Sequence, residues 1–169
     1  MIRRFRGESV HKVDQKGRVS VPAPFRRVLE EGDPDWTDGL NPTLVLIYGM
    51  PSGNCLEGYT VAGANRLDDK VSRLPQFSRQ RLALERLLNT QSVFVQVDEN
   101  GRIVLTQRLR EMFGLQNEAY FAGMGERFQI WAPEAYRADM AGIDDWRSGL
   151  AEDEDPFALL DALDREGRS

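Results

Sequence analysis

Val13-Asp14-Gln15-Lys16-Gly17-Arg18-Val19-Ser20-Val21-Pro22 returns as Val97-Asp98-Glu99-Asn100-Gly101-Arg102-Ile103-Val104-Leu105-Thr106, 84 positions on and without a gap. The correspondence runs past the motif. Phe25, Val28 and Leu29 are answered by Leu109, Met112 and Phe113, an apolar i, i+3, i+4 set at the same distance, and Arg26 aligns with Arg110. The chain therefore holds two copies of one small unit.

Working outward, Val93, Val95 and Val97 alternate with Ser92, Phe94 and Gln96, the period of a strand leading into an Asp-x-x-Gly turn. Aspartate at the head of such a turn accepts backbone N–H bonds, and glycine at its end supplies positive φ. A second short strand follows, then a helix. Pro24 suits the first helical turn in copy one, Thr106 can cap the helix in copy two, and Gly32 and Gly114 stand where each helix stops. Each copy then offers a second strand pair: Leu44–Tyr48 and Cys55–Tyr59 about a Gly49–Asn54 turn, and Tyr120–Gly123 and Arg127–Trp131 about Met124-Gly125-Glu126. Gly32–Pro42 reads as a surface loop. Because a lone hairpin exposes its edges, each copy's hairpin is expected to pack into the other copy. Between the copies, Leu82, Leu84, Leu87 and Leu88 among charged residues predict a helix capped by Ser78, and Pro133 to about Met140 predicts another. Beyond Gly142, Phe157, Leu159, Leu160 and Leu163 have helical spacing, but the density of acids favours a mobile tail.

Length and composition limit what such a pair of units can do. The 169 residues are 41% hydrophobic and 29% charged, which fits one compact domain or two very small ones. No apolar run is long enough to span a bilayer, and Met1-Ile2-Arg3-Arg4-Phe5-Arg6 lacks the apolar stretch of a signal peptide, so a soluble, cytoplasmic protein is expected. One cysteine, Cys55, and one histidine, His11, leave too few soft ligands for a zinc site, and no metal or cofactor is expected. The net charge of −5 is unevenly spread. Residues 1–29 carry eight basic side chains against two acids, while ten acids from Asp139 onward face only three arginines. A basic head with an acidic tail is the pattern of a polyanion-binding surface beside a solvated or regulatory segment.

Catalysis finds little support. No nucleophile stands with a base, His11 lies on a predicted strand, and no glycine-rich phosphate loop occurs. Asp14 and Asp98 are accounted for by turn geometry, with Arg18 and Arg102 as partners across the hairpin. The same turns carry a second reading: Lys16, Arg18 and Arg102 project from a rigid sheet, where guanidinium groups fork onto phosphates or guanine edges. Lys12, Arg26 and Arg27 broaden that surface. A basic cluster repeated on a symmetric hairpin scaffold points to nucleic acid.

With Phe5-Arg6-Gly7 ahead of the first motif and the second Asp98-x-x-x-Arg102 copy behind it, the chain resembles the MraZ family of bacterial transcriptional regulators over about residues 5–140. The resemblance implies a mainly β fold with flanking helices, built of two tandem AbrB/SpoVT-like swapped-hairpin modules (a double-split β-barrel) that form a pseudo-dimer within one chain. It divides the sequence into a first module at 5–64, a helical linker at 65–90, a second module at 91–136 and a helix with a partly disordered acidic tail at 137–169. It also implies a ring-shaped homo-oligomer, associated with the nucleoid, that binds double-stranded DNA at direct repeats upstream of the division and cell-wall gene cluster, its own promoter included, as a repressor. The expected DNA-binding residues are Arg6, Lys12, Lys16, Arg18, Arg26, Arg27 and Arg102, with Asn100 standing where copy one has Lys16. The alternative is an antitoxin-like module whose acidic tail, with Phe157 to Leu163, wraps a basic partner, DNA binding being secondary.

Overall fold

The computed structural model describes residues 3–50 and 54–167; Pro51, Ser52 and Gly53 of the expected Gly49–Asn54 turn lie outside them, as do Met1 and Ile2. Each copy has the order read from the sequence. Copy one comprises β1 (Glu8–Lys12), β2 (Arg18–Ser20), α1 (Ala23–Glu31), β3 (Thr43–Ile47) and β4 (Leu56–Thr60). After α2 (Val61–Ser72) and α3 (Arg79–Thr90), copy two comprises β5 (Ser92–Gln96), β6 (Arg102–Val104), α4 (Gln107–Met112), β7 (Glu118–Gly123) and β8 (Phe128–Trp131). The helices α5 (Pro133–Ser148) and α6 (Ala158–Glu166) follow. The chain divides into two compact units, residues 1–133 and 134–169.

The strands of the first unit form a six-stranded sheet, β1-β7-β8-β4-β3-β5, and a two-stranded ribbon, β2-β6. Among the strands of the described residues, β3–β4 and β7–β8 pair within a copy, while β1–β7, β3–β5, β4–β8 and β2–β6 join the two copies, all antiparallel. Each copy's first strand thus completes the other copy's half of the sheet, leaving neither half able to close alone. Across the central β4–β8 seam, the buried carboxylate of Glu57 accepts from Arg127 Nε (2.8 Å) and Gln129 Nε2 (3.1 Å), so copy two satisfies a charge that copy one buries.

One core fills the space between ribbon, sheet and helices. Val19 and Ile103 come from the underside of the ribbon, Phe25, Val28 and Leu29 from α1, Leu109 from α4, and Leu44, Leu46, Phe121 and Phe128 from the sheet. Phe5 is buried among them, its ring edge-on to Phe25 (5.3 Å) and Phe128 (5.0 Å). On the outer face, Val45 and Ile47 pack with Val71 of α2 and Leu88 of α3. The expected caps are present: the side chains of Thr106 and Ser78 accept from Leu109 N and Arg81 N.

Three helices depart from the sequence reading. Helix α2 falls in the expected helical linker at 65–90 but starts four residues earlier, at Val61, as a separate helix ahead of the one expected at Ser78; Asp68-Asp69-Lys70 interrupts its apolar Ala64, Leu67 and Val71, and Thr60 caps it by accepting from Gly63 N (2.9 Å). Helix α5 runs through Gly142 to Ser148 instead of stopping near Met140, since one glycine costs a helix only about 1 kcal/mol. In the tail, Ala158–Glu166 is helical where the acids favoured a mobile segment; its apolar residues recur at helical spacing, and Asp155 Oδ1 accepts from Phe157 N just ahead of it.

The tightest constraint lies at the two turns. Gly17 (φ +84°) and Gly101 (φ +76°) each place a carbonyl against the other copy, accepting from Leu105 N (2.8 Å) and Val21 N (2.9 Å). A Cβ on Gly17 would stand 2.1 Å from the Leu105 carbonyl oxygen, whereas one on Gly114 (φ +66°) would meet nothing. Gly17→Ala is expected to lose about 3 kcal/mol or more, from left-handed strain and a backbone clash together, and Gly114→Ala only about 1 kcal/mol, both read from urea unfolding.

Candidate nucleic-acid interface

The ribbon is short, and its register decides what it displays. Val19 stands opposite Ile103, Arg18 opposite Val104 and Ser20 opposite Arg102. Strand alternation sends Val19 and Ile103 into the core, so Arg18, Ser20, Arg102 and Val104 share the outer face. Two arginines 84 positions apart are thereby set side by side on one rigid surface. They line a cleft of about 460 Å³, whose wall includes Lys12 at the end of β1 and Asn117 and Glu118 at the start of β7.

Each arginine is aimed by the aspartate four residues before it. Asp14 Oδ1 accepts from Lys16 N and Arg18 N, both at 2.9 Å, and Oδ2 accepts from Arg18 Nε at 2.6 Å. In the second copy Asp98 Oδ1 accepts from Asn100 N (2.8 Å) and Arg102 N (2.9 Å), and Oδ2 forms a longer ion pair, 3.4 Å, with Arg102 Nε. The structural and functional readings of these turns are therefore compatible. Asp14 hydrogen-bonds Arg18 Nε, whereas Arg102 Nε is buried without a hydrogen bond and is held near Asp98 by the ion pair alone; the guanidinium ends are the fork-shaped donors suited to phosphate or a guanine edge. The Arg18 N–H, the Arg18 side chain and the Lys16 N–H hold the Asp14 carboxyl below its usual 3.8; the Arg102 N–H, the Asn100 N–H and the Arg102 charge do the same for Asp98.

The remaining candidates are dispersed. Lys16 is exposed at the first turn, and Arg27 is exposed on α1, away from the cleft lining. Arg26 is half-buried over the other copy's turn: a Cβ on Gly101 would lie 2.4 Å from its Nη1. Its counterpart Arg110 covers Gly17 and donates from Nε to the Leu105 carbonyl (3.0 Å). These two residues brace the turns. Arg6 is exposed beside the β7–β8 turn, where Phe5 bridges Gly125, about 20 Å up the strand direction from Lys12. Ser20, Asn117 and Glu118 were not anticipated in the cleft. Ser20 was recoverable from alternation, but Asn117 and Glu118 arrive only through the β1–β7 pairing, in which Lys12 faces Glu118. His11 sits against Phe121 (5.3 Å), its Nε2 2.8 Å from Ser9 Oγ, and partial burial lowers its pKa from 6.5.

The depressed carboxylates give a sign for acid stability. Their contribution is complete above the unfolded value near 3.8 and is lost as pH falls through the lower native value. The melting temperature is expected to fall as pH drops below about 3.8, and Asp14→Asn to flatten that limb while lowering Tm at pH 7. Thermal melts across pH check both effects; an unchanged limb in the variant would exclude the Asp14 assignment.

Comparison with known proteins agrees with this architecture. A family model described as MraZ protein, antitoxin-like, matches twice, at residues 4–87 and 88–147. A protein named transcriptional regulator MraZ from Ruegeria pomeroyi is 49% identical over 162 residues, covering 95% of this chain and 97% of its own. Proteins of the same name from Cereibacter sphaeroides and a Roseiflexus species are 41% and 34% identical, each covering 83% of this chain and 87% and 89% of their own. Twofold internal pairing, a paired Asp-x-x-x-Arg face and similarity along nearly the whole chain lead to one conclusion: the protein belongs to the MraZ family.

Proposed function

We propose that this chain is a sequence-specific transcriptional regulator that binds double-stranded DNA through the outer face of the β2–β6 ribbon. The observation that carries this reading is the register of β2 on β6, which sets Arg18 and Arg102 on one exposed face beside Lys12. A two-stranded ribbon fits a major groove about 12 Å wide, and a guanidinium can bind guanine O6 and N7 together. The inter-copy pairings support a swapped-hairpin, double-split barrel acting as an intrachain pseudo-dimer, with modules at 5–64 and 91–136 about a linker at 65–90. Among the described residues no helix is long and apolar enough to cross a membrane, consistent with a cytoplasmic, nucleoid-associated protein.

One subunit places only a handful of cations around the ribbon on a chain of net charge −5, so its own affinity is modest and salt-dependent. A ring-shaped homo-oligomer meeting direct DNA repeats gains affinity through effective concentration. The proposed targets lie upstream of the division and cell-wall gene cluster, with repression of its own promoter. A second reading, a protein-binding tail, is favoured by the exposed Phe157, Leu159, Leu160 and Leu163 of α6 among acids.

Fluorescence anisotropy with a duplex from upstream of the gene and a scrambled duplex, over a salt series, separates the two. Selective binding with a steep salt slope is expected, and Arg18→Ala or Arg102→Ala should weaken it about tenfold or more without changing Tm by more than a few degrees. Equal weak binding to both duplexes would put the protein-binding reading first. Removing residues 149–169, beyond the end of α5, should raise affinity for the scrambled duplex, because the deleted segment is net acidic.

A further inference from the structure

The two halves of the ribbon share a scaffold and differ in surface chemistry. The scaffold positions correspond across the repeat: Val13 with Val97, Asp14 with Asp98, Gly17 with Gly101 and Arg18 with Arg102 are identical, and Val19 with Ile103 and Val21 with Leu105 keep the core apolar. The exposed positions around them diverge. Lys12 is replaced by Gln96, Gln15 by Glu99, Lys16 by Asn100 and Ser20 by Val104. Copy one thus carries two lysines at its end of the ribbon, and copy two carries two amides and an acid. Because phosphate attracts the first set and is repelled by Glu99 in the second, the two ends cannot make equivalent contacts with a duplex.

The second end has the chemistry of base edges. Gln96 and Asn100 share a hollow of about 280 Å³ with Asn41, and Gln96 Nε2 leans on the Asn41 carbonyl at 3.4 Å, which limits its motion. A carboxamide offers a donor and an acceptor side by side, the complement of adenine N7 and N6. Val104 adds an independent sign: it is 51% exposed on the polar face, directly opposite Arg18, where its counterpart is a serine. An isopropyl group on that face offers the apolar contact that a thymine methyl accepts.

From this we infer that the ribbon is a polar reader: Lys12 and Lys16 of copy one fasten phosphates, while Asn100, Gln96 and Val104 of copy two read an A·T-containing stretch, so that each chain lies on DNA in one direction. The inference rests on the DNA-binding reading above and deepens it. It makes Asn100 and Val104 specificity-determining residues, whereas Arg18 and Arg102 supply contacts common to both ends.

The test is selection from a library of duplexes with a randomised 12-base-pair window, followed by anisotropy on the selected duplex and its scrambled form over a salt series. The full-length wild type is expected to select a non-palindromic motif containing A·T pairs. Asn100→Ala should lose about tenfold in contrast at one A·T pair with an unchanged salt slope, and Val104→Ser should lose contrast at a neighbouring thymine. Lys16→Ala should return the wild-type motif while weakening selected and scrambled duplexes alike and reducing the salt slope by about one. All three side chains are exposed, and thermal melts are the check that each variant folds. A wild-type motif at full contrast from both Asn100→Ala and Val104→Ser, or loss of base preference in Lys16→Ala, would overturn the partition and leave the regulator reading standing. Failure of the wild type to select any motif would overturn both.

Discussion

Two backbone hydrogen bonds tie the ribbon of the first unit across its two copies: Leu105 N–H to the Gly17 carbonyl and Val21 N–H to the Gly101 carbonyl. Each joins the turn of one copy to the residue just beyond the ribbon strand of the other. Both turns favour glycine because φ is positive there, and a Cβ would meet the Leu105 carbonyl at Gly17 and the Arg26 guanidinium at Gly101. They also require a long side chain above, and Arg26 and Arg110 cover the turn glycines from the helix of the opposite copy. With these contacts made, the ribbon register follows, Val19 and Ile103 enter the core together, and Arg18 and Arg102 emerge together.

The remainder of the first unit extends the same exchange. Four strand pairings cross between copies and two do not. The Phe5, Phe25, Phe121 and Phe128 cluster draws on both copies, as does the buried Glu57 site with Arg127 and Gln129. A repeat organised in this way gives one cooperative core with near-twofold geometry. Duplication within one chain then allows the two halves to diverge wherever the core and turns are not involved. The exposed substitutions between copies fall at such positions, giving a symmetric frame an asymmetric surface.

Much of this was legible in the sequence because the signals are local. The Asp-x-x-Gly turns and Thr106 and Ser78 as caps each depend on residues within four positions of one another, and each recurs in the structure; the strand expected around Val93–Val97 forms as β5, but its alternation does not carry over to burial, since Val93 and Phe94 are both exposed. Less visible were α2, whose apolar stripe is broken by charges, and the continuation of α5 past a tolerable glycine. The basic residues are visible in the sequence, but their placement is not. Arg26 and Arg27 are adjacent in sequence, yet one braces the Gly101 turn and the other faces water.

By itself, then, the sequence determined the repeated unit, its turn chemistry, and the pairing of each aspartate with the arginine four residues on. Those features arise from backbone preferences and near-neighbour bonds. Only the tertiary structure decided that β2 pairs with β6, that Lys12 meets Glu118, and that Arg18 and Arg102 form one cleft while Arg6 and Arg27 stay outside its lining. The physical reason is register. Inter-strand hydrogen bonds are the same for every residue type, and the choice among possible registers is made by simultaneous burial of side chains from both copies.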